Sequence, residues 1–252
     1  MITGNMIYTT VFIVFLLAAL VPPLIMMVLV YRQDKIEKEP IWLVIKLIIF
    51  GCISCIPTLY LERLGTVIFS FFFSYETLLY LFIKYFIGVA LIEEGCKYFF
   101  TWIGSWRNKE FNYRFDGIVY AVSVSIGFAA LENVGYVFSY GLKTAAMRAV
   151  LSIPLHCICG IFMGHYYGEA KFAEVQGRIP EKKRYQRTAI ILPLILHGFY
   201  DFAISTDYLI FTFIFYIFVI VLDIVAIKKI RKYSREDIAF YQEKGFDHWR
   251  VS

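Results

Sequence analysis

Four stretches of this sequence place ionisable side chains in the middle of apolar runs. Glu93, Glu94 and Lys97 lie in LIEEGCKYFF, Glu132 and Asn133 in GFAALENVGY, His156 in IPLHCICG, and His197 with Asp201 in LILHGFYDF. Residues three or four apart share a helical face, so Glu93 pairs with Lys97 and His197 with Asp201. A glutamate in such a place can take a proton from water as the water attacks a carbonyl. His197 and Asp201 can donate hydrogen bonds to the developing oxyanion, Asp201 only when protonated, or the pair can set a histidine tautomer. The candidate catalytic residues are therefore Glu93, Glu94, Glu132, His156, His197 and Asp201. Carboxylate and imidazole are also zinc ligands, and Glu93, Glu132, His156 and His197 form the alternative, metal-holding set. No HExxH motif is present. These residues favour a glutamate mechanism without a cofactor, with zinc as the alternative.

Each group also has a structural reading. A glutamate with Lys97 makes an intramembrane ion pair, and His156 can be a packing histidine. All five cysteines (Cys52, Cys55, Cys96, Cys157, Cys159) fall in apolar spans. The Cys52–Cys55 CxxC lacks the βα context of a redox motif and reads as small residues packing a membrane helix. What argues for chemistry is the number of charged groups, because each costs roughly 2.5–3.5 kcal/mol in the centre of a membrane helix.

The elements that must hold these residues are transmembrane helices. Of 252 residues, 60% are hydrophobic and 18% charged, and the mean hydropathy is +0.65, beyond what a soluble domain of this size carries. About 20 apolar residues span the hydrocarbon. Hydropathy predicts an all-α bundle of about seven spans, near 7–30, 41–60, 78–104, 115–138, 147–167, 189–205 and 208–227. Pro57 interrupts the second. Thr66 to Phe73 is too short to cross and is expected to lie on the outer surface or extend a neighbouring helix. The chain reads as one domain over 1–252, with a tail over 228–252. The first span has no cleavage pattern and is expected to remain as an anchor.

Basic residues cluster after the first, third, fifth and seventh spans (Arg32 to Lys38, Arg107 to Arg114, Lys171 to Arg187, Lys228 to Arg250). This predicts that those segments are cytoplasmic, with the N-terminus outside and the C-terminus inside. The net charge of +5 thus reports topology and not nucleic-acid binding; the lipid bilayer is the partner it implies, and nothing in it sets an oligomeric state. Ser234 to Asp237 reads as a capping box opening a short helix that Gly245 ends. On the fourth span, Gly117, Ala121, Ser125 and Ala129 form a small-residue ridge that allows close helix approach.

Taken in order, EExxK at Glu93, Glu94 and Lys97, FxxxE at Phe128 and Glu132, a lone mid-helix histidine at His156, and HxxxD at His197 and Asp201 resemble the PrsW family of bacterial membrane proteases. That family is related to the CAAX prenyl endopeptidases and bacteriocin self-immunity proteins, and the resemblance covers most of the chain. It implies an intramembrane endopeptidase of the bacterial plasma membrane. Such an enzyme makes the first, extracytoplasmic-side cut in a single-pass anti-sigma factor during an envelope stress response. Carried over, Glu93 and Glu94 activate water, Glu132 assists, His197 and Asp201 orient or stabilise the intermediate, and His156 contributes. Glu132 stands where the prenyl endopeptidases have the histidine of FxxxH, so an imidazole's part is not carried over to it. Two other classes fit the same polar groups: a proton-coupled transporter, against which the missing internal repeat weighs, and a non-catalytic immunity or scaffold protein.

Overall fold

The protein, in a computed structural model that describes residues 2–75 and 77–241, is all-α. Its helices are α1 (Ile2–Tyr31), α2 (Ile41–Phe72), α3 (Leu78–Ile83), α4 (Leu91–Ser105), α5 (Asp116–Tyr140), α6 (Leu142–Val150), α7 (Ser152–Val175), α8 (Ile179–Ile204) and α9 (Leu209–Arg235). Among the described residues the only β-type pairing is an isolated bridge between Tyr113 and Ala239.

Among the described residues, six helical segments are long and apolar enough to cross a membrane: α1 from Met6, α2, α5, α6 with α7, α8 and α9. The run expected over 78–104 is continuous from Leu78 to Ser105, with a π-helical stretch, Lys84–Ala90, joining α3 to α4. Its charges set it apart from the apolar six, and they are turned into protein: Glu93, Glu94 and Lys97 are all buried. Pro57 does not end α2, which continues to Phe72 and takes in the stretch from Thr66. The fifth predicted span begins as a separate short helix, α6, before α7 starts at Ser152.

Helix α5 is the most enclosed of the spans, and glycines set how closely its neighbours approach. A Cβ on Gly127 would lie 2.0 Å from the Ile48 carbonyl oxygen, and one on Gly51 2.0 Å from that of Val124, so α2 and α5 cross backbone to backbone. On the other side a Cβ on Gly164 would stand 2.4 Å from the Gly117 carbonyl oxygen. The ridge read from Gly117 to Ser125 meets a matching one on α7, Gly160, Gly164 and Gly168, spaced at four residues. Without a hydrophobic effect between helices in lipid, such contact is what holds them together. The thiols of Cys52 and Cys55 point at the Gly127 and Phe128 carbonyls, and all five cysteines are free, so the CxxC packs α2 on α5.

At the end of the bundle where α5 begins, the α1–α2 loop and the residues after α9 fold together. Ser234 is inside α9, its hydroxyl donating to the Gln33 carbonyl, so it does not cap a new helix; Gly245 lies outside the described residues. Instead, Asp237 accepts from the Phe115 amide at 2.9 Å, and Phe240 enters the core beside Phe111. Asp34 and Glu39 are 1% and 4% exposed. Asp34 accepts from the Glu39 amide at 3.2 Å, and Glu39 from the Tyr120 hydroxyl at 2.8 Å. Burial pushes Asp34 up to about 6 and Glu39 up to about 7; the hydrogen bonds they accept oppose this only in part.

Two outcomes follow for stability. Gly164→Val should cost ~1–3 kcal/mol or more, because no rotamer clears the α5 backbone, seen as lost monodisperse protein in detergent. Carboxyls raised in the folded state bind protons that the unfolded chain has already released, so stability falls as pH rises from about 4 to about 7. Asp34→Asn and Glu39→Gln should therefore raise the thermal unfolding midpoint at pH 8 and leave it little changed at pH 4.

Candidate active site

The π-helical stretch Lys84–Ala90 delivers the chain to α4 so that Glu93 and Glu94 open its first turn, and insertions of this kind recur at functional sites. Phe86 from that stretch packs face-on to Gly198, where an added Cβ would lie 2.7 Å from its ring. Small size at the position after His197 thus lets α8 close on the π-helical stretch that leads into α4.

One ligand atom from each of Glu93, Glu94, His156 and His197 falls within 4.8 Å of the others, and all four residues are buried. At their centre is Lys97. Its Nζ donates to Glu93 Oε2 and Glu94 Oε1, each at 2.9 Å, and meets His156 Nδ1 at 3.0 Å, while lying 4.2 Å from the centre of the Phe128 ring. An ammonium has donors only, so His156 Nδ1 must accept, and the imidazole carries its proton on Nε2. That nitrogen faces Glu132 Oε2 at 3.1 Å. His197 Nδ1 meets Glu94 Oε1 at 2.8 Å, and its Nε2 is 3.3 Å from Asp201 Oδ2. Two carboxylates therefore fix the second ring from opposite sides.

All six residues singled out in the sequence are thus in one network. Their order differs from the expected metal set in one place: Glu94, not Glu132, belongs to the central four. Glu132 is one step out because its Oε2 is engaged on the far nitrogen of His156 and by Arg148 at 2.7 Å. Arg148 was not singled out in the sequence. A lone arginine at the edge of an apolar stretch gave no spacing signal, and α6 brings it in by a fold in the chain at Gly141 (φ 82°). Its Nε also donates to Asn133 Oδ1 at 2.9 Å, and Asn133 Nδ2 to the Ala19 carbonyl at 2.8 Å, tying α6 and α5 to α1. Lys97, readable as half of an ion pair, is paired with both Glu93 and Glu94 and is also the hub.

A groove of about 560 Å³ runs between α2 and α5 to the network, lined by Thr58, Glu62, Arg63, Glu93, Glu132 and Tyr136 among others. Glu93 and Glu132 face it; Glu94 and the two histidines do not line it. Glu62, also unanticipated, has Oε1 buried with no hydrogen-bond partner. The donor set suits a divalent metal such as zinc, being two carboxylates and two imidazoles at short range. Glu94 Oε2, buried and without a partner, supplies an unused lone pair there, and the His156 Nδ1 lone pair is held by Lys97.

A family model described as PrsW family intramembrane metalloprotease matches residues 39–227. Protease PrsW of Oceanobacillus iheyensis is 34% identical over 221 residues, covering 88% of this chain and 96% of that protein. Protease PrsW of Clostridioides difficile strain 630 is 33% identical over 221 residues, covering 86% and 90%. Protease PrsW of Bacillus subtilis strain 168 is 30% identical over 192 residues, covering 75% and 81%. No solved structure matches.

Arg148 holds Glu132 in place for His156, so Arg148→Ala should lower peptide-bond cleavage by about tenfold through misplacement of the network. Arg148→Lys should recover part of the loss; equal activity in wild type and Arg148→Ala would show that Glu132 needs no such anchor.

Proposed function

The chain belongs to the PrsW family of intramembrane proteases, a multi-pass membrane peptidase of bacteria, and we propose that it makes the extracytoplasmic-side cut in a single-pass membrane anti-sigma factor. The observation that carries this is the groove between α2 and α5, which opens a path for an extended peptide to Glu93. The depth of the site supports the side of the cut. With the basic segments cytoplasmic, the N-terminus is outside and the C-terminus inside. Glu132 is then roughly two turns from the outer end of α5, His156 about one turn from the outer start of α7, and His197 about two turns from the outer end of α8. In this orientation Glu132 and His197 stand nearer the outer ends of α5 and α8 and Glu93 near the middle of the run from Leu78 to Ser105, which supports a cut toward the outer side.

Within the reaction, Glu93 is the general base. It faces the groove, is 5% exposed, and takes a proton from the water that attacks the scissile carbonyl, then passes it to the departing amine nitrogen. Glu94 and Asp201 orient His197, and Glu132 orients His156, so that N–H groups and lone pairs are aimed before substrate arrives. Glu94, His156 and His197 would hold a divalent metal, which when bound polarises the carbonyl and makes water more acidic. The convergence of their donors and the unpartnered Glu94 oxygen favour this metal-assisted route over carboxylate alone.

The test is cleavage of a single-pass anti-sigma factor by the purified protein in lipid vesicles. Glu93→Gln should lower the rate by about 10²–10⁴-fold while the protein still accumulates and unfolds at a similar temperature. Undiminished cleavage by Glu93→Gln overturns the assignment, and cleavage only on the cytoplasmic side of the substrate overturns the orientation.

A further inference from the structure

We infer that Lys97 is the resident cation of the active site: its ammonium occupies the point on which Glu93, Glu94 and His156 converge, and a divalent metal enters only by displacing it. The inference rests on the reading that this cluster takes a metal. It adds that the cluster is built to stand without one.

The geometry is that of an occupied cation site. Three acceptors, Glu93 Oε2, Glu94 Oε1 and His156 Nδ1, lie 2.9, 2.9 and 3.0 Å from Nζ, one for each N–H of an ammonium. The side chain is 0% exposed, so no water competes for those bonds. A metal held by Glu94 and His156 through two of these atoms would need them about 2.0–2.2 Å away, a volume that Nζ fills. Both cannot be present, since two cations at one point in a low dielectric repel strongly. The Phe128 ring, 4.2 Å from Nζ, gives the displaced ammonium a second surface to rest on.

Two consequences follow. The four donors stay assembled and charge-compensated whether or not metal is bound, so the protein folds without it. Metal affinity is lowered by the cost of withdrawing the ammonium from a buried pair, which corresponds to about a hundredfold or more. Lys97 is accordingly a positioning residue and a brake on metal loading: it acts through Glu93 and Glu94 and does not line the groove.

The experiment is titration with Co²⁺, read by visible absorption and by thermal unfolding of full-length protein in detergent, comparing wild type with Lys97→Met. The expected result is that Lys97→Met binds Co²⁺ about a hundredfold more tightly, with an absorption band that His156→Ala removes. Its unfolding midpoint, low without metal, should rise steeply with Co²⁺ while that of wild type moves little. If Lys97→Met alone does not accumulate, Glu93→Gln and Glu93→Gln/Lys97→Met make the same comparison with one fewer carboxylate to compensate. Equal Co²⁺ affinity with and without Lys97 overturns the inference and leaves the metal reading intact. Absence of Co²⁺ binding in every form overturns both.

Discussion

The bundle is organised around a cluster of charges that lipid would reject. Two glutamates and a lysine on one turn of α4, together with histidines from α7 and α8, are sealed from water. Unpaired, any one of them would cost several kcal/mol in such surroundings. They are tolerated because each finds a partner on another helix: Lys97 on His156, Glu94 on His197, His156 on Glu132, Glu132 on Arg148. Five helices are tied by this one network, and none of them can move away without stranding a charge. The same bonds that hold the bundle also aim the groups, so stability and preorganisation have one origin.

Bringing those charges into contact requires backbones to approach more closely than large side chains allow. Gly51 and Gly127 do this for α2 on α5, and Gly117, Gly160, Gly164 and Gly168 for α5 on α7. The apolar faces of α1 and α9 turn outward, with residues such as Phe12, Leu17, Phe213 and Ile217 exposed, as helices facing lipid must. At one end, Asp34, Glu39 and Asp237 join the α1–α2 loop, the start of α5 and the residues after α9. These carboxylates have no network of cations comparable to that of the active site, and burial raises all three above the usual carboxylate range.

The network is also asymmetric toward substrate. Glu93 and Glu132 look into the groove, while Glu94 and the histidines stand behind them. Two adjacent glutamates on one helix turn thus have different surroundings: Glu93 lines the groove, and Glu94 holds His197. The lysine that compensates both carboxylates does not line the groove between α2 and α5.

How much of this was written in the residues is clearest from particular ones. Charged and imidazole side chains inside apolar runs marked Glu93, Glu94, Glu132, His156, His197 and Asp201 without any structure, because groups so costly to bury in a membrane mark functional positions. The four-residue spacing of Gly117, Ala121 and Ser125 announced a close helix contact, and the ordered motifs announced the family. Pro57 misled, since neighbouring helices let α2 run through it, and Ser234 misled, since a capping pattern says nothing of the helix already in progress. Arg148 and Glu62 had no periodic signal, and the hub position of Lys97 could not follow from spacing along one helix. The sequence alone determined that these groups lie in the membrane and which helix faces they occupy. Only the tertiary structure decided which of them touch, because hydrogen bonds act within about 3 Å while the partners sit on helices separated by scores of residues.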